Sequence, residues 1–109
     1  MNYKIVITSE FRKEIKHLRK KYSSLKQDFE NFIKILTQDP IQGTPIGKNC
    51  YKVRFAISSK GKGKSGGARI ITYIQILEET VVLISIYDKS EKTTITDKEI
   101  NDRLKRFLT

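Results

Sequence analysis

Ala68-Arg-Ile-Ile-Thr-Tyr-Ile-Gln-Ile-Leu77, followed after Glu78-Glu79 by Thr80-Val-Val-Leu-Ile-Ser-Ile-Tyr87, is the stretch that decides the fold. Both runs carry β-branched residues at odd and even positions alike, so each strand needs cover on both faces. They read as two central strands of one sheet, with Glu78-Glu79 as a tight hairpin turn. Upstream, residues 50–57 alternate. Tyr51, Val53, Phe55 and Ile57 make an apolar face, and Lys52 and Arg54 share the opposite one. Arg69 opens the neighbouring strand, where a hairpin sets it against Arg54. Like charges opposed across strands are destabilising, so this cluster points to a compensating anion.

Working outward, Tyr3 to Thr8 is a short apolar strand candidate. Ser9 reads as a helix N-cap, with Glu10 in the first turn where the dipole favours an anion. Phe11, Ile15, Leu18 and Tyr22 follow at helical spacing, and cations cover the rest. Ser24-Leu-Lys-Gln27 resembles a capping box for a second helix, whose core stripe is Leu25, Phe29, Phe32, Ile33 and Leu36. Asp39-Pro40 ends it, and residues 41–49, with Gly43, Pro45 and Gly47, read as linker and turn. Thr96-Asp-Lys-Glu99 caps a last helix carrying Ile100, Leu104, Phe107 and Leu108. The order βααβββα predicts an α+β domain over residues 1–109, a helical hairpin packed on a small, mostly antiparallel four-stranded sheet.

The chain has 109 residues, enough for one core without metal or disulfide. Its 22 Lys plus Arg against 12 Asp plus Glu give a net charge of +10. Such a balance steers a protein toward nucleic acid, an anionic membrane surface or an acidic partner. No apolar run approaches the roughly 20 residues needed to span a bilayer. The N-terminus lacks the basic-then-apolar plan of a signal peptide. A cytoplasmic protein is therefore expected. Cys50 is the only cysteine, which excludes an internal disulfide and speaks against metal ligation.

Between the strands runs Lys60-Gly-Lys-Gly-Lys-Ser-Gly-Gly-Ala-Arg69. Lys60, Lys62 and Lys64 alternate with glycine there, as in an arm that follows a phosphate backbone or in a solvated hairpin tip. Gly63-Lys64-Ser65 looks like the end of a P-loop, but that motif needs glycine where Ser58 stands and a helix after it. His17 sits in the basic first helix, away from the strand cluster, and reads as a surface residue.

Cys50-Tyr-Lys-Val-Arg-Phe55, the Lys/Gly loop, Ser65-Gly-Gly-Ala-Arg-Ile-Ile-Thr-Tyr73 and Ile84-Ser-Ile-Tyr-Asp-Lys-Ser-Glu91 together resemble the RelE/ParE superfamily of bacterial toxins, most nearly its HigB-type branch. The resemblance covers nearly the whole chain. It implies the toxin of a type II toxin–antitoxin pair, which enters the ribosomal A site and cuts mRNA without metal or other cofactor. The ribose 2′-hydroxyl would attack the adjacent phosphate. Carried over by motif, the catalytic positions are Lys52, Arg54, Arg69 and Lys89, with Tyr87 beside them. Arg54 and Arg69 would stabilise the phosphorane-like charge, and Lys52 is the candidate base. Lys89 or Tyr87 would protonate the leaving 5′-oxygen or hold the phosphate. Lys60, Lys62, Lys64, Tyr73 and Lys92 are the expected RNA- and ribosome-binding set, with Tyr73 and Tyr87 able to stack on bases or simply pack in the sheet. The implied partners are a cognate antitoxin, the ribosome and mRNA, with no membrane.

Two other functions compete. A ParE-like toxin shares the fold but binds DNA gyrase, and such toxins generally lack the full cationic set. A non-catalytic basic module would bind nucleic acid in a salt-dependent way and cut nothing.

Overall fold

The computed structural model describes residues 2–61, 63 and 66–109. Lys62 and Lys64 of the expected binding set lie outside the described residues, as does Ser65. The elements run β1 (Lys4–Ile7), α1 (Ser9–Lys21), α2 (Leu25–Gln38), β2 (Thr44–Gly47), β3 (Cys50–Phe55), a short 3-10 turn (Ser58–Lys60), β4 (Ala68–Gln75), β5 (Thr80–Asp88) and α3 (Asp97–Leu108).

Thr8, not Ser9, caps α1. Its backbone is extended, and its hydroxyl accepts the Phe11 N–H at 3.2 Å while donating to the Leu83 carbonyl at 2.9 Å. One side chain thus starts the helix and ties it to β5. Ser24 holds the N-cap position of α2 but forms no capping bond, because its backbone is already helical. Its hydroxyl is used instead on Asp28 and on the Ser59 N–H, each at 2.8 Å. The last helix starts as expected, with Thr96 Oγ1 accepting the Glu99 N–H at 3.1 Å.

The sheet has five strands in the order β1-β5-β4-β3-β2. β1 lies parallel to β5, so the chain must cross over between them, and the α1–α2 hairpin begins that route. All other pairings are antiparallel. The strand missing from the expected four is Thr44-Pro-Ile-Gly47, which pairs irregularly with Cys50 to Lys52. Pro and Gly disguise it as a loop, and an edge strand tolerates both. At the other hairpin, β4 ends at Gln75 and residues 76–79 form the connection. A two-residue turn demands positive φ at its centre, which Glu78-Glu79 supplies only at Glu79 (φ 47°). The turn is therefore wider than expected, and Leu77 is left 95% exposed.

Cover comes from both sides. Phe11, Leu18, Leu25 and Leu36 of the helical hairpin bury one face with Val53, Phe55, Ile70, Ile74, Leu83 and Ile86. Ile100 and Leu104 of α3 bury the other with Ile71, Val82, Ile84 and Tyr87. Leu108, expected in the core, is exposed, because α3 runs past the end of that cluster.

Two irregularities of β5 shape the surface on its α3 side. The β4–β5 register slips between Ile71 and Thr72, which face Ser85 and Leu83, so Ile84 is an extra residue on β5. Without it, strict alternation from Leu83 would send Tyr87 to the helical-hairpin face; the bulge re-aims it to the α3 face. Beyond Leu83, β5 also has no strand on its outer side. Side chains satisfy that edge instead: Glu14 accepts the Ile86 N–H at 3.3 Å, and Arg103 donates to the Ile84 carbonyl at 2.9 Å. Arg103 and Glu14 are themselves joined by bonds of 2.8 and 3.0 Å, a clasp between α1 and α3.

Candidate functional site

The strand register assembles the cationic cluster. Arg54 of β3 is paired with Arg69 of β4, and Arg69 with Tyr87 of β5. Register partners point to the same face, so the three form a transverse row on the α3 side, neighbours about 5 Å apart at Cβ. In the parallel row beside it lie Lys52, Ile71 and Ser85. Arg54 is exposed, whereas Arg69 is only 8% exposed and donates to its neighbour's carbonyl, that of Ala68, at 3.1 Å. One arginine is fixed and the other open to solvent.

Lys52, Arg54 and Arg69 line an open groove of about 830 Å³, which continues past the uncovered edge of β3 to Asp28, Phe32 and Ser58. The segment between β5 and α3 borders the row on its other side. Thr94 accepts a hydrogen bond from Lys52 Nζ at 3.1 Å. Lys92 Nζ sits 6.0 Å from the centre of the Tyr87 ring and 3.0 Å from Glu99. Tyr87 is 5% exposed, and its hydroxyl is buried without a hydrogen-bond partner among the described residues. Lys89 comes directly after Asp88 and is exposed, with its backbone N–H on the Gly67 carbonyl at 3.2 Å. Gly67 is fixed by space: a Cβ there would stand 2.3 Å from the Phe55 carbonyl oxygen.

Two expected binding residues lie elsewhere. Lys60 is not a free loop cation: its side chain is 9% exposed and reaches Asp88 at 2.7 Å. Tyr73 is half-buried in the α3 cluster, four residues along β4 from Arg69, or about 13 Å at strand rise. It packs there rather than joining the row.

Asp88 is the residue that sequence reading passed over. Its carboxylate is fully buried and gathers Lys60, Lys21 at 3.3 Å, the Tyr22 hydroxyl in a short contact, and the Ser90 N–H and hydroxyl at 2.9 and 2.7 Å. Burial alone would raise its pKa. The hydrogen bonds from Lys60, Tyr22 and Ser90 outweigh that and hold it well below the ordinary carboxylate range. A lone acid closing a strand that otherwise carries no charge was the available signal. Asp88 anchors the turn ahead of the Gly-rich loop, the end of α1 and the start of the segment carrying Lys89.

His17 and Cys50 are the remaining candidates. His17 is exposed, with Nε2 3.2 Å from Glu91. Cys50 is buried, and burial pushes its thiol up to about 11, so it stays protonated at neutral pH. Among the described residues no cluster of three His, Cys, Asp or Glu is placed to hold a metal ion, and no helix is long and apolar enough to cross a membrane.

A helical hairpin and a C-terminal helix on opposite faces of a mixed sheet define a RelE-type α+β fold. Among solved structures, the E. coli toxin RelE, as a mutant in the free state, is similar with a TM-score of 0.60 at 16% identity, over 97% of this chain and 98% of that one. A chain of the RelBE2 toxin–antitoxin complex from Mycobacterium tuberculosis gives 0.62 at 17% identity, over 81% and 99%. The intact E. coli RelBE toxin–antitoxin complex gives 0.56 at 16%, over 79% and 95%. No family model matches the chain. At these identities the likeness is one of fold.

Proposed function

We propose that the chain is the toxin of a type II toxin–antitoxin pair and cleaves mRNA on the ribosome. The observation that carries this reading is the row Arg54–Arg69–Tyr87 with Lys52 beside it, where Lys52, Arg54 and Arg69 line an open groove of about 830 Å³. Two opposed arginines cost stability in the free protein and become an asset when a phosphate lies between them.

The chemistry is set by those groups. A ribose 2′-hydroxyl attacks the adjacent phosphorus, the P–O5′ bond breaks, and a 2′,3′-cyclic phosphate and a 5′-hydroxyl result. Charge builds on the non-bridging oxygens, where preorganised guanidinium donors are worth most. Arg69, held in place by burial, is suited to that task, and Arg54 closes on the phosphate from the solvent side. Lys52 is the candidate base for the 2′-hydroxyl, and the contact to Thr94 orients it. Lys89 is the candidate for the leaving oxygen. The Tyr87 hydroxyl is buried without a hydrogen-bond partner among the described residues, so a substrate oxygen would meet it only once the surrounding side chains open.

The partners that fit are the ribosome, mRNA and an acidic antitoxin segment laid over the cationic face. RelE-like folds in complex with antitoxins support the last of these. The test follows full-length mRNA in a reconstituted translation reaction, with and without ribosomes. Loss of message only when ribosomes are present supports the proposal. Intact message alongside DNA breaks on expression would transfer the fold to gyrase inhibition.

A further inference from the structure

Lys89 lies past the end of β5, yet the chain around it is closed into a turn by the residue before it. Asp88 Oδ1 accepts the Ser90 N–H at 2.9 Å, which is an Asx-turn, a side chain bonding the backbone two residues on. The Asp88 main-chain carbonyl accepts the N–H groups of Glu91 and Lys92, each at 3.0 Å. Lys89 stands at the crest of that turn, and its own N–H meets the carbonyl of Gly67, two residues before Arg69. The same carboxylate is anchored from behind. Lys60, six residues past Arg54, reaches Oδ1, while Lys21 and the Tyr22 hydroxyl reach Oδ2. Lys21 also holds Glu91 of the turn at 3.3 Å. One side chain therefore ties the chain leaving β3, the end of α1 and the turn that presents Lys89.

A stabilising ion pair accounts for this poorly. The Lys60 and Asp88 side chains are 9% and 0% exposed, and at such burial desolvation offsets much of the attraction. Apolar side chains of the same volume often serve stability as well. What they lack is direction. A leucine at position 88 would fill the space, but Ser90 is exposed, so its N–H could turn to water at little cost. Nor does Asp88 carry a proton into the reaction. Burial raises its pKa, but the hydrogen bonds from Lys60, Tyr22 and Ser90 outweigh that and keep it ionised at neutral pH.

We infer that Asp88 is a positioning residue for cleavage: through the Asx-turn it sets where Lys89 stands relative to Arg69. This rests on the reading of the chain as a ribosome-dependent nuclease with Lys89 at the leaving 5′-oxygen. Asp88 touches no substrate in this account. It lies on the helical-hairpin side of the sheet with Lys21 and Tyr22, while Tyr87 before it packs on the α3 side. Its effect reaches the reaction through the backbone of residues 88–92. Placement of a proton donor is sensitive, since an error of about 1 Å costs about 10²-fold in rate.

The test uses two full-chain variants that share Lys60→Met and Tyr22→Phe, so that no buried donor is stranded. One adds Asp88→Asn, which keeps the acceptor for Ser90, and the other adds Asp88→Leu, which removes it. Asp88→Ala replaces Asp88→Leu if the latter does not fold. With mRNA on ribosomes, the Asn variant is expected to cleave about 10²-fold faster than the Leu variant at saturating ribosome, with similar KM and melting temperature. Adding Lys89→Gln should cost the Asn variant about 10²-fold or more and the Leu variant almost nothing, because Lys89 is already misplaced there. Hydrogen exchange at the Ser90 amide should be slowed in wild type and in the Asn variant, and fast in the Leu variant. Equal rates for the two variants, the same Lys89→Gln loss in both, or a fast Ser90 amide in wild type would overturn this inference and leave the nuclease reading standing. Wild type that leaves mRNA intact on ribosomes would sink that reading and this inference with it.

Discussion

Arg54 and Arg69 stand directly opposite each other on β3 and β4, and only Arg69 is buried. A sheet assembled for stability alone would not oppose two guanidinium groups. Arg54→Gln should raise stability, by roughly 0.2–1 kcal/mol, since cross-strand repulsion is removed. Cleavage should fall at the same time by about 10²–10³-fold, the usual loss for one preorganised oxyanion donor. Denaturant unfolding and a cleavage assay on the same preparation check both halves; a variant both less stable and fully active would contradict the assignment.

Asp88 gives a pH signature. Its pKa is lower folded than unfolded, so the stability it supplies is complete above the unfolded carboxylate value near 3.9. That stability drains as pH falls below this value toward the folded one. Asp88→Asn should cost about 3 kcal/mol at neutral pH by leaving Lys60 buried without its counter-charge. The gap between wild type and variant should narrow as pH drops from about 5 toward about 2, near the lowest practical limit. Urea titrations at several pH values read it directly, and a constant gap would contradict the ion-pair account.

The clasp between Glu14 and Arg103 should behave as one unit. Arg103→Ala strands a carboxylate and the Ile84 carbonyl, and Glu14→Ala strands the Ile86 N–H. A double-mutant cycle should yield a coupling energy of about 1–3 kcal/mol, measured by chemical denaturation. Additive losses would show that the two side chains serve the edge of β5 independently.

Gly67→Ala tests the close approach between β4 and the chain leaving β3. The new methyl would collide with the Phe55 backbone oxygen, which cannot swing away as a side chain could. The expected loss is about 1–3 kcal/mol in unfolding free energy. It should reduce cleavage more than the fraction unfolded explains, because Arg69 lies two residues on.

Much of this was legible from residue pattern. The α1 and α2 stripes, the central strands and the Arg54–Arg69 pairing come from periodicity, since both helices and β3 obey strict spacing. What escaped depended on tertiary context. Thr44-Pro-Ile-Gly47 becomes a strand only because β3 offers it an edge. The bulge at Ile84 leaves no mark in a run where every residue is β-compatible, yet it decides which face Tyr87 takes. Lys60 reads as one of several loop lysines, and only the fold brings it to Asp88, 28 residues away in the chain. Tyr73 was ambiguous for a plain reason: an aromatic on a strand packs or stacks according to what covers it, and α3 covers it here.

The most direct measurement is primer extension along an mRNA in a reconstituted translation reaction, comparing wild type with Arg54→Gln and Arg69→Ala. Cuts are expected at codon-phased positions, present only with ribosomes and lost or strongly reduced in both variants. Intact mRNA and undiminished translation with the wild-type protein would contradict the assignment of this chain as a ribosome-dependent nuclease.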